Sequence, residues 1–135
     1  KVAPEAQRLM DVTRECLELA VDMVRPGVRL GDLGYAISQH AEAAGYGVVR
    51  EFVGHGIGRE MHQGPDVPNY GQPGRGLRLE KGMTIAIEPM INLKGHEVRM
   101  LNDGWTVVTR SGSVSAHFEN TIAVTETGAE VLTKI

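Results

Sequence analysis

Eight of the 17 glycines and three of the six prolines fall between Gly54 and Gly82, and nothing else in the sequence restricts its folding as much. Glycine admits backbone conformations that other residues avoid, and proline fixes φ and removes a donor. Residues 63–82, with Pro65, Pro68, Pro73 and five glycines, are therefore expected to form no regular element. A loop that long inside a compact domain usually has a job. The hydrophobic period ahead of it is helical as far as Gly45 and changes after that residue.

Before the loop the period is helical. Leu9, Val12, Cys16, Ala20 and Met23 recur at steps of three and four, with Leu17, Val21 and Val24 widening the stripe. The spacing predicts a helix over 5–25, with Pro4 in its first turn and Pro26 and Gly27 as its stop. A second helix is expected over 30–44, with Leu33, Ile37, Ala41 and Ala44 on one face and Gly45 as its end signal. Strands are expected at 47–53, 83–88, 97–100, 105–109 and 115–125, each bounded by Gly, Pro, Asn or Ser. Helices first and strands afterwards indicate an α+β fold, an αα-hairpin followed by a mainly antiparallel sheet. At 135 residues the chain reads as a single domain over 1–135, without an internal repeat.

Composition narrows the function classes. Hydrophobic residues at 41% and charged residues at 23% are globular values. Fourteen basic against seventeen acidic residues give a net charge of −3, which argues against a nucleic-acid partner. No apolar run reaches the roughly 18 residues of a membrane span, so no membrane partner is expected. The lone Cys16 excludes an internal disulfide and fits a reducing cytoplasm; its place on the apolar stripe reads as a buried, inert thiol.

The strand faces give the first chemical clue. Period two sets Met83, Ile85 and Ile87 on one face and Thr84, Ala86 and Glu88 on the other. In the last strand Phe118, Ile122 and Val124 share a face, and His117, Glu119, Thr121 and Ala123 share the opposite one. The bulky faces can pack under the helices, which leaves a carboxylate beside small residues on each other face. Two inward carboxylates are costly unless a cation or donor sits between them. His55, between glycines that keep bulk away from its imidazole, would complete a nitrogen–oxygen set with Glu88 and Glu119. Such a set suits Zn, Mn, Fe or Co. The competing reading is a solvated loop histidine and two carboxylates paired with arginines. His40 and His96 read as structural or solvated. A phosphate cradle at Gly54, Gly56 and Gly58 would need a following Lys-Ser/Thr and a helix, which the sequence lacks.

Five segments then occur in order: EFVGHGIGR at 51–59, His62 with Pro65, IEPM at 87–90, DGWT at 103–106 and FENT at 118–121. Together they resemble type I methionine aminopeptidase over essentially the whole chain. The short distance from His62 to Ile87 is similar to type I rather than type II. Prolidases and aminopeptidases P share the ligand logic, but the Asp-Gly-Trp segment is more similar to the methionine enzymes. The resemblance implies half of a pita-bread fold and a dinuclear site for two divalent ions, drawn from Co, Mn, Fe and Zn. It implies that His55 and Glu88 ligate one metal and that Glu119 bridges both. A metal-bound hydroxide would attack the carbonyl after the N-terminal methionine of a peptide or nascent protein, with Glu88 as proton shuttle. His62 would hydrogen-bond the scissile amide, and Met61 and Trp105 would line the methionine pocket. Ser115 matches a position whose carbonyl helps hold a monovalent cation. His117 matches no ligand role.

The departure from the family is an absence. Two of its five ligands are aspartates upstream of the first helix, and Asp11, Asp22 and Asp32 do not match them. The chain, which begins at Lys1, reads as the C-terminal half of a cytoplasmic enzyme, inactive or weakly active alone. It is expected to self-associate or to associate with the missing N-terminal half, since a half fold exposes a sheet edge and apolar surface. The alternative is a metal-free pita-bread module that binds a peptide or partner.

Overall fold

Leu9, Val12, Thr13, Cys16, Leu17 and Ala20 form the buried stripe of α1 (Pro4–Met23). The computed structural model describes residues 4–49, 54–56, 63–92, 98–100, 107–109 and 115–133; at 54–55, 63–65, 98–100, 107–109 and 115 it describes the backbone alone. α1 stops two residues before the expected end because a residue preceding proline, here Arg25, is pushed out of the helical region. Leu30, Leu33, Ile37 and Ala41 form the matching stripe of α2 (Leu30–Ala43). Gly45 closes that helix at φ +87°, its N–H donating to the Glu42 carbonyl at 2.9 Å. The two helices pack as the expected αα-hairpin. Between them the Cys16 thiol lies 3.5 Å from the Ile37 carbonyl, and the His40 ring Nε2 lies 2.8 Å from Glu15 Oε1. Burial, with a smaller push from Glu15, raises the Cys16 thiol to about 12, as an inert core cysteine requires. No helix among the described residues is long and apolar enough to cross a membrane.

Among the described residues ten short strands follow: β1 (Gly47–Val48), β2 (Gly54–Gly56), β3 (Gln63–Val67), β4 (Thr84–Ile87), β5 (Met90–Asn92), β6 (Val98–Met100), β7 (Val107–Thr109), β8 (Ser115–His117), β9 (Asn120–Val124) and β10 (Ala129–Val131). They form a five-stranded sheet in the order β10-β9-β4-β2-β3, a three-stranded sheet β1-β5-β8 and a β6-β7 pair. Every pairing among the described residues is antiparallel, so the α+β expectation holds. Ile85, Ile87, Ile91, Ile122 and Val124 meet the helix stripes in one core.

Three local expectations need correction. The breaker-rich stretch does contain a strand, β3, despite Pro65. β3 is an edge strand, and its register jumps between the His55–Asp66 and Gly56–Gln63 pairs, so Pro65 falls where no ladder bond is required. The strand expected over 115–125 is interrupted at residues 118–119. β5 and β10 lie beyond the expected ends of their neighbours; β10 returns through a tight turn in which Thr125 N–H donates to the Gly128 carbonyl at 2.9 Å.

The rest of the loop is anchored on α2. Leu30 N–H donates to the Leu77 carbonyl at 2.9 Å, and Leu79 N–H donates to the Val28 carbonyl at 2.7 Å. Gly31 and Gly34 permit the approach: a Cβ at Gly31 would overlap the Gln72 and Arg75 carbonyls, and one at Gly34 the Tyr70 carbonyl. Asp32 caps both segments, accepting from Gly74 N–H at 2.7 Å and from Arg29 N–H at 2.9 Å. Those two donors, Gly74 first, hold its carboxyl below the ordinary 3.8.

Candidate metal centre

The β4–β9 ladder runs from the Thr84–Ala123 pair to the Ile87–Asn120 pair. The β5–β8 ladder takes up the same register, from Met90–His117 to Asn92–Ser115. The two are thus one ribbon with a break at residues 88–89 and 118–119. Pro89 has no N–H to give, so the ladder cannot be completed there. Its carbonyl accepts from Phe118 N–H at 3.3 Å, which keeps the strands together through the crook.

That register sets Glu88 across from Glu119 and puts His117 on the diagonal from Glu88, positions whose side chains can meet. His117 Nε2 lies 3.6 Å from Glu88 Oε1, and one donor atom from each of Glu88, His117 and Glu119 falls within 4.8 Å of the others. Glu88 is the sheltered member, with its side chain 17% exposed against 42% for His117. Like charges directly opposite destabilise a ribbon unless something positive lies between them. One imidazole and two carboxylates fit a borderline divalent ion such as Zn, Mn, Fe or Co.

The loop supports the crook from behind. Asn69 is fully buried, and its Nδ2 donates to the Glu88 carbonyl at 2.9 Å. Next to it, Tyr70 is the residue whose carbonyl presses on Gly34. The anchoring of the loop on α2 therefore reaches the backbone of Glu88. On the other side, Glu119 lines a cleft of about 800 Å³ with Glu18, Val21 and Asp22 of α1, so the crook opens beside an acidic rim.

The expected site residues divide as follows. Glu88 and Glu119 are brought together. The backbone of His55 lies opposite Ala86, two residues before Glu88, while its side chain is outside the described residues. Met61, His62, Trp105 and also His96 lie outside the described residues. The Ser115 backbone pairs with Asn92 at the far end of β8, and its side chain is not among those described. The resemblance implies no ligand role for His117, yet its ring lies within 4.8 Å of a carboxylate oxygen of each glutamate. Its signal was parity with Glu119, two residues away on one strand face. Asn69 had no sequence signal, because the contact depends on how the loop folds back.

Comparison with known proteins identifies the family and the fold. Residues 1–126 match the family described as metallopeptidase family M24. Methionine aminopeptidase A of Synechocystis sp. is 53% identical over 97% of this chain and 52% of its own length. The methionine aminopeptidase of Clostridium perfringens is 48% identical over 99% of this chain and 54% of its own. The crystal structure of methionine aminopeptidase from Thermotoga maritima superposes with a TM-score of 0.97 at 51% identity, covering all of this chain and 54% of that one. The chain thus spans about half the length of the relatives it matches, and its fold is the expected half of a pita-bread fold.

Proposed function

This chain belongs to metallopeptidase family M24, and on that premise we propose that it carries part of the active site of a metal-dependent aminopeptidase. The reaction is removal of the N-terminal methionine from peptides and nascent proteins in the cytoplasm. The observation that carries the reading is the meeting of Glu88, His117 and Glu119 at the break in the ribbon. The names of the relatives support methionine as the residue released.

In this reading His55, Glu88 and Glu119 hold divalent cations, two in the complete enzyme, drawn from Co, Mn, Fe and Zn. A cation bound there supplies a Lewis acid and brings the pKa of water toward neutrality. Glu88, sheltered on the ribbon and held at its backbone by Asn69, takes a proton on a carboxylate oxygen and returns it to the leaving amine. His62 hydrogen-bonds the scissile amide, Met61 and Trp105 shape the methionine pocket, and the Ser115 carbonyl serves a monovalent cation. The 135 residues alone turn over little substrate, because two ligands that the resemblance implies have no counterpart among them.

The test is methionine release from a Met-Ala-Ser peptide by the full-length protein with Mn²⁺ or Co²⁺. Glu88→Gln is expected to lower kcat at least about a hundredfold, the scale of a lost general base. Near-normal turnover by that variant overturns the assignment of Glu88. A metal titration without binding turns the reading toward a metal-free peptide-binding module.

A further inference from the structure

We propose that the arginine-bearing surface where the loop lies against the start of α2 docks an acidic segment of a partner protein, one that carries a large apolar side chain among its carboxylates. The proposal does not rest on the metal centre. Its first support is charge. Arg25, Arg75 and Arg78 are exposed and Arg29 is half-buried, and all four fall on two short segments, 25–31 and 75–79, that are hydrogen-bonded to each other. Gly27 N–H donates to the Leu79 carbonyl at 2.9 Å, and Gly31 N–H donates to the Arg75 carbonyl at 2.8 Å. Arg29 and Arg78 face each other directly as an antiparallel pair. Like charges so placed repel. Among the described residues none of the four arginines forms an ion pair; Arg29 Nη1 donates to the Gly76 carbonyl at 2.8 Å. Asp32, the carboxylate beside them on α2, is engaged by the Gly74 and Arg29 N–H groups. Four of the 14 basic residues thus stand together without a carboxylate partner, on a chain whose net charge is −3.

The second support is a groove at the same place. It measures about 360 Å³ and is walled by Leu30, Pro68, Tyr70 and Leu77, with Asp66 and Arg75 as its charged members. Leu77 is 45% exposed, so an apolar wall meets solvent beside the arginines. An apolar patch with a polar rim marks an interaction site. The backbone around it is already fixed, since the loop bonds to the start of α2 and a Cβ at Gly31 would overlap the Gln72 and Arg75 carbonyls. A surface set in advance loses little freedom on binding.

These features select the occupant. The planar fork of arginine matches a carboxylate through two parallel hydrogen bonds. An apolar side chain seated in the groove supplies the buried anchor that docking requires. Asp66, on β3, repels acids from its own side and so directs the partner's carboxylates toward Arg75, Arg78 and Arg29. A nucleic acid fits less well, because the groove beside the arginines is apolar and the net negative charge opposes a long polyanion beyond the patch.

The experiment is fluorescence anisotropy of the full-length protein with a labelled Glu-Asp-Phe-Glu-Asp peptide. One control peptide carries Ala for Phe, a second carries the matching amides for the acids, and a short oligouridylate is the fourth probe. Each control peptide is expected to bind at least about tenfold more weakly than the parent, the scale of one lost anchor. Arg75→Ala with Arg78→Ala should weaken the parent peptide by at least about tenfold, and Leu77→Ala by at least about threefold. All three side chains are exposed, so the urea midpoints of these variants should stay at the wild-type value. No binding of the parent peptide by the wild type, or unchanged binding by the double arginine variant, overturns the docking site. Tighter binding of the oligouridylate than of the peptide, lost in the same variant, overturns the acidic segment as occupant and makes the surface one for nucleic acid.

Discussion

The two faces of the β4–β9 ribbon are built from alternate residues of the same strands, yet they differ in almost every property. On the helix side Ile85, Ile87, Ile122 and Val124 are 0–2% exposed and close a core with α1 and α2. On the other side Ala86, Thr121 and Ala123 are small, and the polar groups gather at the crook beyond them. The dry face holds the strands with dispersion and burial, which are strong in sum and indifferent to charge. The other face keeps side chains short, with Ala86 fully buried and Thr121 and Ala123 half-buried beside the crook where Glu88, His117 and Glu119 converge. The stability of the fold and the chemistry of the site are thus assigned to opposite sides of one ladder, which makes them separable by mutation.

The largest effect tests the dry face. Ile122→Ala should lower stability by about 2–5 kcal/mol, since the side chain is fully buried between sheet and helices. Denaturant unfolding of the full-length protein measures this, and cation affinity per folded molecule should stay at the wild-type value. If Ile122→Ala weakened metal binding as much as it weakened folding, the separation of the faces would be broken.

Gly34→Ala sharpens the comparison from the scaffold side. An added Cβ would overlap the Tyr70 carbonyl, and an overpacked contact costs about 1–3 kcal/mol. Unlike Ile122→Ala, it should also reach the site, because Tyr70 adjoins Asn69 and Asn69 holds the Glu88 carbonyl. The expected outcome is a lower midpoint together with weaker metal binding; loss of stability alone would show that the loop does not position Glu88.

Much of this arrangement is legible in the amino-acid sequence. The helices were legible because their stripes repeat at a fixed step and end at Pro26 and Gly45. The sharing of faces by Ile85 with Ile87, and by Ile122 with Val124, followed from parity alone. β3 was hidden, because Gly64 and Pro65 read as breakers until the register jump shows that they sit outside the ladder. The meeting of Glu88 and Glu119 was foreseen through parity and resemblance. The resemblance implies no role for His117, although its parity with Glu119 points to the same face. Asn69 could not be found, since its partner is 19 residues distant and its approach depends on two glycines in α2.

A smaller effect, of opposite sign, tests the polar face. Glu119→Gln removes one of two facing carboxylates, so the cation-free protein should gain about 0.2–1 kcal/mol. The same variant should lose most of the rise in Tm that Zn²⁺ gives the wild type, because a ligand stabilises in proportion to its affinity for the folded state. Thermal scans with and without Zn²⁺ read both effects. A cation-free Glu119→Gln that is less stable than the wild type would mean that the facing pair carries no electrostatic cost.

The smallest effect is distant from both faces and is read through pH. Two backbone donors hold the Asp32 carboxyl below its ordinary 3.8, so the folded state binds its proton more weakly than the unfolded state does. A depressed carboxylate contributes stability that is fully present above pH 3.8 and disappears as the pH falls through the lower folded-state value. Asp32→Asn keeps an oxygen acceptor for only one of the Gly74 and Arg29 donors, so at pH 7 its Tm should fall modestly below that of the wild type. As the pH drops below 3.8 the wild type loses this contribution and the gap between the two curves should narrow. A gap that stayed constant from pH 7 to pH 3 would show that Asp32 acts through its shape as a cap and not through its charge.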